Sequence, residues 1–156
     1  MRSPDDHPGI LLWRASNSWQ RTVRTVLKEQ RLTQSQYILL LGLYCLEVRK
    51  EIKQSYITQQ YLSAYCGCDT AMASQVLRQL EAKHFIKRSS VEDARSVSVR
   101  LTKEGAEVVS VLEDNFVEVN KSFFSSLGEN IEMFKAALQI LLNLTPRIKS
   151  TKRLDT

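Results

Sequence analysis

"VEDARSVSVRLTKEG", residues 91–105, carries three signals in immediate succession. Glu92, Asp93 and Arg95 form a charged tip. From Ser96 onward the chain alternates, with Val97, Val99 and Leu101 on one side and Ser96, Ser98 and Arg100 on the other. That period of two is the pattern of a half-buried strand. Thr102 then stands where a helix N-cap is wanted. The preceding "FIKRSS", Phe85–Ser90, supplies a partner strand, so the stretch predicts a two-stranded ribbon with Arg95 projecting from its rim.

Upstream of the ribbon lie two short helices. In "TQQYLSAYC" Thr58 is a plausible N-cap, and Leu62 and Tyr65 are expected on the inner face. Gly67 falls where a left-handed C-terminal residue is needed, since a side chain there would meet the carbonyl. Asp69 can cap the second helix, "TAMASQVLRQLEAK". Its apolar stripe is Ala73, Val76, Leu77 and Leu80, at i, i+3, i+4 and i+7. Thr70, Ala71, Ser74, Gln75 and Arg78 lie away from that stripe and leave a polar outer face. Two short helices joined by a tight glycine turn, the second lightly furnished outside, have the arrangement of a DNA-reading helix-turn-helix.

Longer helices flank this centre. Leu12, Trp13, Trp19, Val23, Val26 and Leu27 recur at helical spacing within Ile10–Gln30. Thr33 and Gln36 open the next helix as a capping box, and its apolar residues surround the axis, which predicts a buried central helix. Beyond the ribbon a long helix is expected from Thr102 to about Ser125, with Val109, Leu112, Phe116, Val119 and Phe123 inside. Gly128 breaks it, and a last helix runs from Ile131 to Leu144, ended by Thr145-Pro146.

At 156 residues, with 43% hydrophobic and 25% charged, the chain suits one globular domain with a real core. No run approaches the roughly 20 apolar residues that span a bilayer. Met1–Gly9 lacks the apolar core of a signal peptide, so no membrane contact and a cytoplasmic location are expected. Three cysteines, an odd number, argue for reduced thiols over a disulfide framework. The net charge of +5 is unevenly spread. Residues 1–31 hold six basic against three acidic side chains, residues 55–103 seven against four, and residues 104–145 two against seven. A polyanion partner therefore fits the middle and the ends, not the acidic C-terminal helices.

In this order the elements resemble the MarR family of winged-helix transcription regulators. The resemblance rests on Tyr56–Gly105: Leu80-Glu81, then Phe85-Ile86-Lys87-Arg88, the wing motif Asp93-Ala94-Arg95, and the closing Leu101-Thr102-x-x-Gly105. It implies a mainly α fold with a small antiparallel β wing, a winged helix-turn-helix with N- and C-terminal dimerisation helices. Residues 1–156 would form a single domain of this type, with 8–31 and 104–145 as dimerisation helices and 33–103 as the DNA-binding lobe. It also implies a homodimer on double-stranded DNA with a pseudo-palindromic operator, a repressor role, and, for many members, a small lipophilic or phenolic effector. Trp13, Trp19, Tyr37 and Tyr44, and also Tyr61, are candidates to line an effector cleft, although aromatics at helical spacing are more often core.

The expected DNA contacts are Thr70, Ala71, Ser74, Gln75 and Arg78 on the reading helix, Lys87 and Arg88 on the strand, and Arg95 on the wing. Lys87 and Arg88 read equally well as solubilising charges or as phosphate contacts, which position a protein without reading sequence. Family members commonly carry Ser-Thr-Val-Ser/Thr-Arg where this chain has Ala71-Met72-Ala73-Ser74-Gln75. Gln75 in place of an arginine favours adenine over guanine. Ala94 and Ser96 flank Arg95 where a second arginine or a proline is usual, so the wing rests on one cation.

Cys66 and Cys68 lie in the helix-turn-helix turn and form a candidate redox pair, because the following helix N-terminus can lower the Cys68 thiol pKa. Against that, thiols one residue apart make a strained disulfide, and no second Cys/His pair at zinc-ligand spacing supports a metal site. Cys45 reads as core, and His84 as a helix-end residue favoured by the dipole. No phosphate-binding glycine loop or helical histidine pair is present, and only His7 and His84 are available as imidazole bases. No enzyme activity and no cofactor are expected. The competing class is a winged helix serving as a protein-interaction module without sequence-specific DNA binding.

Overall fold

A computed structural model of the chain describes residues 3–48, 56–90 and 96–144. The first helix, α1 (Pro8–Glu29), begins on a proline, whose fixed φ and missing N–H suit a first helical position. It ends at Arg31, which takes φ 52° while the Leu32 N–H returns to the Leu27 carbonyl at 3.0 Å. Helix α2 (Gln34–Glu47) starts with the expected box: Gln36 N–H donates to Thr33 Oγ1 at 3.2 Å, and Thr33 N–H to Gln36 Oε1 at 3.1 Å. Being apolar all round, α2 becomes the central helix, with Tyr37, Leu39, Leu40 and Leu43 fully buried.

A two-residue strand, β1 (Ile57–Thr58), leads into α3 (Gln59–Tyr65), whose N-terminus Thr58 caps through the Tyr61 N–H at 3.1 Å. Leu62 is buried as expected, and Tyr65, 45% exposed, sits at the edge of the inner face. Helix α3 crosses α2 at Gly42. A Cβ there would overlap Cys66 Sγ, so the cysteine fills the close approach, and the Tyr65 ring lies beside it against Gly42 with its other side in solvent. Gly67 takes φ 65°, and the Cys68 N–H reaches back to the Ser63 carbonyl at 2.8 Å, which closes α3 with the expected left-handed turn.

Helix α4 (Thr70–Ala82) is capped by Asp69, which accepts from the Met72 N–H at 2.9 Å. It buries Ala73, Val76, Leu77 and Leu80, the whole predicted stripe. Strands β2 (Ile86–Ser90) and β3 (Val97–Leu101) pair antiparallel, Ile86 opposite Leu101 and Ser90 opposite Val97. The ribbon is not two-stranded: β1 adds to the other side of β3, giving the order β1-β3-β2. Helix α5 (Lys103–Phe123) follows, with Thr102 Oγ1 accepting from the Gly105 N–H at 3.0 Å.

The chain divides within α5 into two compact units, Met1–Val119 and Asn120–Thr156. In the second, a 3-10 segment (Ser125–Asn130) bends at Gly128, φ 51°, and leads into α6 (Ile131–Leu141). Here α6 ends earlier than the predicted Leu144. Asn143 takes φ 55° and the Leu144 N–H bonds the Gln139 carbonyl at 2.8 Å, so a left-handed asparagine stops the helix. The predicted stop at Thr145-Pro146 lies outside the described residues. No helix among the described residues is long and apolar enough to cross a membrane.

Candidate nucleic-acid interface

With its apolar stripe buried, α4 turns its other side outward. Thr70, Ala71, Gln75 and Arg78 are exposed and Ser74 is half-buried. The Arg78 guanidinium donates to Ser74 Oγ one turn earlier at 3.2 Å, which holds the long side chain along the helix surface. Met72 is 37% exposed on the same side. It was missed in the sequence because an apolar residue off the stripe has no pattern to mark it. All these residues lie in the N-terminal two-thirds of α4, on a face with no packing role.

The strand cations separate by register. Lys87 faces Arg100 across the ladder on the outer side, whereas Arg88 stands opposite Val99 on the inner side with Ile86. Lys87 is exposed. The Arg88 side chain is only 20% exposed; its Nε is 3.6 Å from Glu81 Oε2, and Glu81 Oε1 accepts the Arg88 backbone N–H at 3.1 Å. Glu81 thus ties the end of α4 to β2, and Lys87 is the strand cation offered to solvent. Arg95 and the wing tip, residues 91–95, lie outside the described residues.

The wing root is anchored from both sides. Thr102 Oγ1 donates to the His84 carbonyl at 2.8 Å, and the Thr102 N–H to the Phe85 carbonyl at 3.0 Å. At Gly105 a Cβ would collide with the Phe85 carbonyl oxygen, so only glycine lets α5 start this close to the α4–β2 turn. His84 itself has φ 63° and closes α4, with the Phe85 N–H bonded to the Leu80 carbonyl at 3.0 Å.

The cysteines are all free thiols. The expected lowering of the Cys68 thiol is not found: burial raises it. Burial, with Cys68 and Cys45 nearby, pushes Cys66 up to about 12. The turn shelters these sulfurs from water, which disfavours the thiolate of each. Among the described residues no group of three or more His, Cys, Asp or Glu side chains is arranged to hold a metal ion.

The aromatic candidates differ in burial. Tyr37 is fully buried with its ring 4.8 Å from Phe116, and Trp19 meets Phe116 edge-on at 6.2 Å. Tyr44 is half-buried against the core, Tyr61 is 39% exposed, and Trp13 is 66% exposed. Within the second unit a cavity of about 530 Å³ opens between the end of α5 and α6, lined by Phe124, Ile131, Phe134 and Leu138 with Lys121 and Lys135. None of the predicted aromatics belongs to it.

The profile of the transcriptional regulators SarA/Rot matches residues 21–112, more than half of the chain and the whole helix-turn-helix and wing. The chain belongs to the SarA/Rot family of transcriptional regulators. This SarA/Rot-family chain is 36% identical over 140 residues to the uncharacterized HTH-type transcriptional regulator YdcH of Bacillus subtilis (strain 168), covering 89% of this chain and 92% of that one. Its fold matches MepR of Staphylococcus aureus in complex with DNA, with a TM-score of 0.75, 25% identity, and coverage of 88% of this chain and 97% of MepR. It also matches a MarR-family regulator from Rhodococcus sp., with a TM-score of 0.76 and 19% identity over 91% of this chain and 96% of that one. The winged-helix architecture expected from the MarR resemblance is therefore the architecture of this SarA/Rot-family protein.

Proposed function

We propose that the protein is a homodimeric repressor that reads a pseudo-palindromic operator in double-stranded DNA with α4 in the major groove. The observation that carries this reading is the face of α4 left free by packing. Gln75 is placed to pair bidentately with adenine, Ser74 holds Arg78 for a base or phosphate, and Met72 offers an apolar contact to a thymine methyl. Thr70 and Ala71, at the helix N-terminus, leave room for close approach. Lys87 contacts phosphate from the strand, Arg88 supports it through Glu81, and Arg95 enters the adjacent minor groove. MepR, at 25% identity, has been captured on DNA with the same fold, which supports the reading.

Two exposed apolar surfaces support association of two copies. On α1 these are Ile10, Leu11, Leu12 and Trp13; at the C-terminal end they include Met133, Ile140, Leu141 and Leu142. Clusters of this kind mark interaction surfaces in soluble proteins. A small lipophilic or phenolic effector that binds the two conformations of such a dimer unequally would shift DNA affinity. A redox signal through Cys66 and Cys68 is less favoured, because both thiols resist ionisation.

The test is fluorescence anisotropy with a labelled duplex from upstream of the protein's own gene, against a scrambled duplex, over a salt series, with sedimentation to count subunits. Preference for the upstream duplex, with affinity falling as salt rises, is expected. Equal, weak binding to both would favour a winged helix that serves as a protein-interaction module instead.

A further inference from the structure

Gln36 does more than cap α2. Only 4% exposed, it accepts from the Thr33 N–H at 3.1 Å and from Lys83 Nζ at 3.3 Å through Oε1, while its Nε2 donates to Gln79 Oε1 at 3.0 Å. Lys83, the C-cap residue of α4, also donates to the Arg31 carbonyl at 2.6 Å. Arg31 is the left-handed residue that ends α1. One ammonium and one amide therefore join the α1–α2 turn to the last turn of α4.

The chemistry of each group suits this work. A lysine ammonium has three donors and no acceptor, and two of its donors are here directed at protein oxygens. Gln36 has both kinds of atom and so can accept from Thr33 and Lys83 while donating to Gln79. Gln36 is buried among the hydrophobic residues of α2, where leaving an amide unpaired is costly and a fully paired one specifies a single arrangement. The other side of the same turn is held by Thr102 on the His84 carbonyl. The end of α4 is thus gripped between α2 and the start of α5, and its outer face is left untouched.

We propose that Lys83, with Gln36 and Gln79, is a positioning device that sets α4 along its axis against the α1–α2 turn. Displacement of that turn is passed through these three side chains to the reading helix. Lys83, although cationic and close to the reading face, is not a phosphate contact. The inference rests on α4 being the DNA-reading helix, and its test separates the two ideas.

The experiment compares the protein with Lys83→Met, Lys83→Arg, Gln36→Leu, Gln79→Ala and the pair Lys83→Met/Gln36→Leu, using Lys87→Met, Gln75→Ala and Arg78→Ala as references. Operator and scrambled duplexes are titrated by anisotropy across a salt series, and thermal unfolding reports whether each variant is folded. Lys83→Met is expected to weaken operator binding about 3- to 10-fold. It should leave the salt slope unchanged, whereas Lys87→Met lowers the slope by about 0.9 per protomer, the share of one phosphate, and so by about 1.8 for the dimer. Lys83→Arg keeps the donors and should restore most of the affinity. Gln79→Ala, at an exposed position that does not threaten folding, should show the same loss with the same unchanged slope. The double variant should be no worse than its worst single, because the residues act as one unit.

A slope that falls with Lys83→Met as it does with Lys87→Met makes Lys83 a phosphate contact and overturns the proposal. So does unchanged affinity in Lys83→Met and Gln79→Ala while Gln75→Ala and Arg78→Ala still weaken binding. If those two references also have no effect, the assignment of α4 as the reading helix fails, and the positioning role with it.

Discussion

The carboxylate of Glu47 accepts the backbone N–H of Leu101 at 3.0 Å, joining the last residue of α2 to the last residue of β3. Among the described residues β1 pairs with Ser98 and Val99, and the Leu101 N–H further along β3 is met by this side chain. Burial holds the Glu47 carboxyl above its usual range, and the Leu101 hydrogen bond and Arg100 pull it down by less. A carboxyl raised in the folded state contributes its full stability below the ordinary carboxylate range and loses it as pH rises through the raised value. Replacement by Glu47→Gln keeps the acceptor and removes the ionisation. The stability difference between the two proteins should therefore move in favour of Glu47→Gln as pH rises, measured by urea denaturation at a series of pH values. Glu47→Ala strands the Leu101 N–H and should cost about 1–2 kcal/mol at neutral pH.

Gly105→Ala should be disruptive although it adds one methyl group. The new Cβ meets backbone, the Phe85 carbonyl, and cannot be accommodated by a rotamer change. A loss of about 1–3 kcal/mol is expected from overpacking, read as a lower denaturant midpoint. A loss below the measurement error would mean that α5 can slide away from the α4–β2 turn.

Tyr37 offers the opposite case. Its hydroxyl is buried with no hydrogen-bond partner among the described residues, and burial, helped by Glu113, holds its phenol up at about 12. Tyr37→Phe removes an unpaired polar atom while preserving the ring contact with Phe116, so stability should hold or rise by up to about 1 kcal/mol. In an ultraviolet titration of the folded protein, one tyrosine should ionise last and disappear from the profile in this variant.

Thiol chemistry tests the turn of the helix-turn-helix. Because Cys66 is raised to about 12 and Cys68 is raised less, a maleimide or disulfide reagent near neutral pH should modify both more slowly than in the denatured chain, Cys66 the more slowly. Mass spectrometry of timed samples gives the rates. Rapid modification of Cys68 in the native protein would restore the redox reading.

On DNA, Gln75→Ala should change which base is preferred more than it changes overall affinity, while Arg95→Ala should weaken binding on all operator variants with an A·T-rich minor groove. Each is expected to cost about 1–3 kcal/mol at its own position, read by competition among operator variants. Equal affinities for all variants with Gln75→Ala and the native protein would remove Gln75 from the base-reading set.

Which parts of this were legible in the sequence follows from the range of each interaction. Thr33, Thr58, Asp69 and Thr102 cap within three residues, and Ala73, Val76, Leu77 and Leu80 repeat along one helix, so local rules suffice. β1 was missed because two residues have no periodicity. The left-handed ends at Arg31, His84 and Asn143 were missed because glycine is the usual signal and none is present there. That Cys66, and not Tyr65, fills the closest approach at Gly42 is decided by packing between α2 and α3, which no local pattern encodes. On the candidate interface, Arg88 and Lys87 look alike in sequence, and only the strand register divides them.

That register has a consequence for the protein when no nucleic acid is present. β2 is an edge strand of five residues, the kind of open border onto which a strand of a neighbouring molecule can zip. β1, at the opposite border, is too short to template anything. Lys87 places an exposed positive charge on β2, so identical molecules approaching border to border meet like charge there. The cation proposed to meet phosphate on the operator is, off it, a safeguard against aggregation.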